Sequence, residues 1–165
     1  MNIGLLAARL VFGSLMAAHG AQKLFGWFGG HGLSAVAGMF DALGFRPGRL
    51  FAAAASIAEV ASGLLVAAGL FGPFGPALMI AVMIVAAVSV HWQNGLFSMT
   101  NGIEVPLLYL TGAAALALTG FGRYSLDELL GLEPLWTPAL TWLALALAVA
   151  AGIGNLALRR TPAHA

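Results

Sequence analysis

Six side chains interrupt an otherwise apolar sequence with groups that carry or exchange charge: Arg9, His19, Lys23, Glu59, His91 and Glu104. An ionised group at the centre of a membrane helix costs about 2.5–3.5 kcal/mol on insertion scales, so Arg9 and Glu59 need partners. In antiparallel helices rising about 1.5 Å per residue, Arg9 falls roughly 9 Å below one face of the bilayer and Glu59 roughly 13 Å above the other. A long arginine can bridge the remaining difference within a core about 30 Å thick, which predicts an Arg9–Glu59 ion pair. On a helical wheel Arg9, Met16, His19 and Lys23 share one arc of about 80°, and Ser56, Glu59, Ser62 and Gly63 form a polar, small-residue stripe on another helix. His91 closes the third apolar run and Glu104 opens the fourth, at the end that holds His19 and Lys23, so the six residues are predicted to line a polar pocket. There Arg9 and Glu59 would hold a polar head group. His19 and Glu104 would exchange protons with the cytoplasm, because imidazole titrates near neutral pH and a desolvated carboxylate is raised toward it.

Simpler roles fit the same residues. An Arg9–Glu59 pair could serve only to fix helix register, and His19, His91 and Lys23 could reach out to the membrane interface. His19, His91, Glu59 and Glu104 are ligand types for zinc or iron, but no histidine pair at i, i+4 and no Glu-x-x-His occurs, so no metal site is assigned.

The elements that must position these groups follow from composition. Of 165 residues 61% are hydrophobic and 8% charged, against roughly 25% charged in a soluble domain, and the mean hydropathy is +0.95. The fold class is all-α: a polytopic membrane bundle, four helices in its core, a fifth C-terminal transmembrane helix and a short interfacial helix. The first span runs from Ile3 to about Phe25 and is expected to be retained, since Met1-Asn2-Ile3 lacks the cationic start of a signal peptide. Gly26–Gly32, with Trp27 and Phe28, reads as an interfacial turn, and Leu33–Leu43 as a helix on the membrane surface. Spans follow over Leu50–Phe71, Ala77–Trp92, Glu104–Gly120 and Trp136–Leu158. The domain division is 1–130 for the bundle and 131–165 for the added helix with its basic tail. Asp127, Glu128 and Glu133 are expected to be solvated. Lys23, Arg46, Arg49, Arg159 and Arg160 fall on one side of a five-span chain and Arg123 on the other, which predicts an outside N-terminus and a cytoplasmic C-terminus. The fifth span has no buried polar group and is expected to face lipid.

The absence of cysteine excludes a disulfide framework, thiol redox chemistry and iron–sulfur ligation by this chain. A formal charge of +1 gives no reason to expect a nucleic-acid partner. The expected surroundings are a lipid bilayer, with self-association into a homo-oligomer left open.

Several motifs in order, His19-Gly20-Ala21-Gln22-Lys23-Leu24-Phe25-Gly26-Trp27-Phe28-Gly29-Gly30, Ala58-Glu59-Val60 to Gly63, His91 with Asn94-Gly95, Gly102-Ile103-Glu104-Val105-Pro106-Leu107 and Gly122-Arg123-Tyr124-Ser125-Leu126-Asp127, resemble the DoxX family of bacterial membrane proteins over about residues 1–130. Ile103 departs from the aromatic residue that relatives often carry there. The resemblance implies a four-helix membrane core and an accessory subunit of the inner membrane in a quinone-linked redox, oxidative-stress or detoxification system. Quinone would be its bound cofactor and a membrane or soluble redox protein its partner. The alternative is a structural or assembly subunit that anchors a partner complex without ligand chemistry of its own; a small transporter ranks below both, because no inverted repeat is visible.

Overall fold

Long apolar runs leave the backbone no hydrogen-bond partner but itself within a bilayer, and helices result. The computed structural model describes residues 2–160, and among them the regular structure is helical throughout. The helices are α1 (Asn2–Phe25), α2 (Gly32–Ala42), α3 (Gly48–Ala68), α4 (Phe74–Ala86), α5 (Glu104–Thr119), α6 (Leu126–Leu129) and α7 (Pro138–Ala157). A π-helical turn, Ala87–His91, and one 3₁₀ turn extend α4 to Asn94. The chain is a multi-pass membrane protein: α1, α3, extended α4 and α7 are each long and apolar enough to cross a bilayer.

The fourth predicted span is shorter than expected. At 16 residues α5 extends about 24 Å, less than a hydrocarbon core of about 30 Å. It nevertheless carries the chain from one end of the bundle to the other. Its first residue is hydrogen-bonded to Leu96 in the loop after α4, and Phe121, just past its end, lies beneath the guanidinium of Arg9 beside the α3–α4 turn. The chain therefore runs the length of the bundle five times, with irregular backbone completing the fourth pass.

Helices α1 and α3 form the closest crossing. A Cβ on Gly13 would lie 2.5 Å from the Ala67 nitrogen, and one on Gly20 would lie 2.7 Å from the Ser56 oxygen and the Val60 nitrogen. Gly63 faces Gly13 and Ala17 in the same way. Without side chains at these points the backbones meet directly, the usual solution where lipid gives no hydrophobic drive to associate. The core beyond this seam is apolar, with Met16, Val66, Met79, Ile80, Met83, Tyr109, Leu116 and Phe121 buried together.

Helix α7 lies against α4 through one stripe of small residues, Thr141, Ala144, Ala148 and Gly152. Trp142, Leu143, Leu147 and Ile153 are exposed, as expected of a peripheral helix facing lipid, but the expectation that the span buries no polar group fails at Thr141, which is buried. Its C-terminal end returns to the corner between α2 and α3, where Arg160 donates its backbone N–H to Gly44 and Arg159 donates to Leu43. The basic segments around Arg46 and Arg159 thus share one end of the bundle, the Lys23 end; the α3–α4 turn and the α5–α7 connection form the other, the Arg9 end.

Candidate functional site

The α1–α3 crossing settles which charged groups can meet. With Gly13 opposite Gly63 and Gly20 opposite Val60, Arg9 stands level with the C-terminus of α3, and Glu59 stands level with residues near His19. Ten residues of helix, about 15 Å, separate the two positions. The predicted Arg9–Glu59 pair does not form; taking both spans to begin at the membrane faces misjudged their relative register.

Each charge has another partner. Arg9 is 1% exposed. Its Nη2 donates to the carbonyl of Tyr124 at 2.6 Å, Nη1 donates to the carbonyl of Ala68 at 3.5 Å, and the guanidinium lies 5.7 Å from the centroid of the Phe121 ring. Ala68 carries one of the carbonyls that a helix end leaves without an intrahelical donor. Gly69 ends α3 in the left-handed region, φ +66°, and a Cβ there would lie 2.8 Å from Arg9 Cζ. Only glycine suits both the backbone and the guanidinium. Arg9 thus ties α1 to the end of α3 and to the segment before α6.

Asp127 completes this clamp and corrects the expectation that it is solvated. It is 2% exposed, and its carboxylate accepts the backbone N–H groups of Phe71 at 2.8 Å and Gly72 at 2.6 Å. Ser125 begins α6 by accepting from the Glu128 N–H, so the Ser125 to Glu128 spacing that signals a helix start also delivers Asp127 to the α3–α4 turn. Glu128 and Glu133 remain exposed.

At the Lys23 end, Lys23 Nζ forms an ion pair and hydrogen bond with Glu59 Oε1. Glu59 is 1% exposed, and its second oxygen, Oε2, is buried with no hydrogen-bond partner. Both residues line a cavity of about 350 Å³ framed by α2, α3, α4 and α7. One wall is aromatic: the Phe45 ring lies 5.7 Å from that of Phe40 and 5.4 Å from that of Phe51. Leu78, Val82 and Val85 supply apolar surface from α4, and Ser89 and His91 reach the cavity from its π turn. Ser89 Oγ is also buried and unpartnered. Single π turns recur at functional sites because the shifted register turns side chains off the face they would otherwise occupy. Ser89 went unnoticed in the sequence, where a lone serine in an apolar run carries no signal.

Of the six residues predicted to share a pocket, Lys23, Glu59 and His91 line this cavity and Arg9, His19 and Glu104 do not. His19 is exposed, its ring edge-on to Tyr109 at 6.0 Å. Glu104 accepts the Ser98 N–H at 2.7 Å and orders the loop before α5. Nδ1 of His91 lies 2.8 Å from the carbonyl of Asn101. A carbonyl only accepts, so Nδ1 carries a proton in this contact. Ser56 and Ser62, on the same face as Glu59, are buried and bond to carbonyls of their own helix. Among the described residues no group of three or more histidines and carboxylates gathers as metal ligands.

The arrangement is a mostly apolar, partly aromatic chamber of the size that takes small ligands, with a neutralised ion pair in its wall and an unused carboxylate oxygen. No curated protein and no solved structure matches the chain. The family model described as DoxX matches residues 4–92, more than half of the chain, from the first turn of α1 through the π turn of α4, a stretch that contains Lys23, Glu59, Ser89 and His91. The chain belongs to the DoxX family.

Proposed function

We propose that this protein is an accessory subunit of a quinone-linked redox or detoxification system in the bacterial inner membrane, and that the cavity at the Lys23 end binds quinone or a lipid of similar form. The observation that carries this reading is Glu59, which lines the cavity and whose Oε2 is buried without a hydrogen-bond partner. An unsatisfied charged acceptor is costly in an apolar surrounding, and such an atom in a native fold calls for an explanation. A ligand hydroxyl or a bound water supplies one. The rings of Phe40, Phe45 and Phe51 suit a flat head group, and the apolar surface of α4 suits its tail. The chain has no cysteine, so electrons would pass through the ligand and a partner protein rather than through thiols of this chain.

Orientation follows from charge. Lys23, Arg46, Arg49, Arg159 and Arg160 belong to the Lys23 end, whereas Arg123 is the exposed cation at the other, so the cavity end faces the cytoplasm and the N-terminus faces outward.

Mild detergent extraction followed by mass spectrometry of retained small molecules tests the reading. Quinone is expected to co-purify, or to bind when added at micromolar concentration, and Glu59→Gln is expected to weaken binding while leaving recovery of protein partners unchanged. Absence of both retention and binding would remove the quinone reading. Loss of partner recovery in Glu59→Gln, with ligand binding intact, would instead favour an assembly subunit.

A further inference from the structure

The polar groups of the residues that line the cavity differ in what they can accept or give, and that difference bears on which redox form of a ligand fits. Glu59 Oε2 is an acceptor only, since its carboxylate is paired with Lys23 through Oε1. Lys23 Nζ keeps N–H groups beyond the one given to Glu59. The Ser89 hydroxyl, buried and unpartnered, donates or accepts. A quinone carbonyl placed here accepts from Lys23 or Ser89, but it leaves Oε2 unpaired and sets its own lone pairs against it. A hydroxyl donates to Oε2 and accepts from Lys23 at once, satisfying both.

We infer that the cavity selects an apolar ring bearing a hydrogen-bond-donating hydroxyl, which within the quinone class is the reduced, quinol form, and that Glu59 Oε2 makes the selection. The identification with quinol rests on the function proposed above; the preference for a donor rests on the cavity alone. The Lys23–Glu59 pairing adds a second criterion. Because the pair is internally neutral, the cavity has no net charge to offer, and a neutral ligand is favoured over a carboxylate or an amine of the same shape.

The test is anaerobic binding to the full chain in detergent, measured against empty micelles, with two pairs of probes: a decyl-benzoquinol with its quinone, and 4-heptylphenol with its methyl ether. A hydrogen bond to a charged acceptor corresponds to a preference of about tenfold or more. The quinol is expected to bind at least about tenfold more tightly than the quinone, and the phenol more tightly than the ether by a similar factor. Glu59→Gln supplies an amide that both donates and accepts, and is expected to bring each ratio to within about threefold. Ser89→Ala, which removes a group serving both forms, is expected to weaken both members of each pair and keep the ratios. Equal binding within both pairs in the unsubstituted protein, or ratios that fall in Ser89→Ala and survive in Glu59→Gln, would overturn the inference. Selection of phenol over ether without binding of quinol or quinone would uphold donor selection and overturn the quinone reading.

Discussion

Two cations enter this bundle from opposite ends, and each is held by different chemistry. Arg9 gives its N–H groups to backbone carbonyls of Ala68 and Tyr124, whereas Lys23 meets a carboxylate. A planar fork of donors suits two carbonyls on separate segments, and a compact ammonium on a flexible stem suits a single buried oxygen. A double-mutant cycle in mild detergent should separate the two. Lys23→Met with Glu59→Gln is expected to show a coupling of about 1 kcal/mol or more, as contacting charges do, while Arg9→Met with Glu59→Gln should add within about 0.5 kcal/mol, as distant sites do. The reverse result would restore the pairing that sequence spacing suggested. That spacing identified the residues correctly as needing partners, because a charge in an apolar run is visible in one dimension. It could not identify the partners: one for Arg9 lies 115 residues away, at a backbone carbonyl that any residue type could present. Asp127 was misread for the same reason, since the N–H groups it satisfies belong to Phe71 and Gly72, far off in the chain.

Helix packing was more legible than side-chain pairing. The stripe of Ser56, Glu59, Ser62 and Gly63 does form a buried face of α3, because small and polar residues at helical spacing in a lipid-soluble chain have few other places to go. What the stripe omits is the complementary set on α1, Gly13, Ala17 and Gly20, whose importance depends on a register that only the assembled pair defines. Gly13→Ala and Gly63→Ala are each expected to lower resistance to detergent unfolding by about 1–3 kcal/mol, the usual cost of overpacking a close contact. Gly154→Ala in α7, where a Cβ meets nothing within 4 Å, should be neutral or stabilising by up to about 1 kcal/mol through helix propensity. A uniform response of all three would deny the α1–α3 seam its special closeness. The connection between α6 and α7 allows a separate test. The neighbouring Glu128 side chain holds the Glu133 carboxyl above the usual carboxylate range, and the charges of Glu128 and Asp127 add to the effect. The folded state therefore favours protonated Glu133. Its contribution to stability is complete below about pH 4, the ordinary carboxyl value, and is lost as pH rises through the elevated folded value. Melting profiles of Glu133→Gln against the unsubstituted chain should diverge as pH rises, with the variant the more stable at neutral pH; superimposable profiles would contradict the raised value.

The whole molecule is defined by how many times it crosses the bilayer, and here α5 decides. Four helices have the length to span, and four crossings would put the two chain ends on the same side; the fifth traverse puts them on opposite sides. The geometry favours five, because Glu104 and Phe121 belong to opposite ends of the bundle, and a short helix can be matched by local thinning of the bilayer or by its non-helical flanks. The proposed direction puts the Lys23 end inside, on the positive-inside bias. A chain without cysteine is suited to the decisive measurement. Met99, 98% exposed in the loop before α5, and Leu129, 78% exposed after it, can each be replaced singly by cysteine and treated in intact cells with a maleimide that enters the periplasm but does not cross the inner membrane. Leu129→Cys is expected to react in intact cells and Met99→Cys only after the inner membrane is opened. Equal labelling of both in intact cells would mean that α5 turns back without crossing, and the reverse pattern would invert the molecule. Either outcome would move the cavity: inverted, Lys23 and Glu59 would open toward the periplasm and any proton they exchange would come from that side.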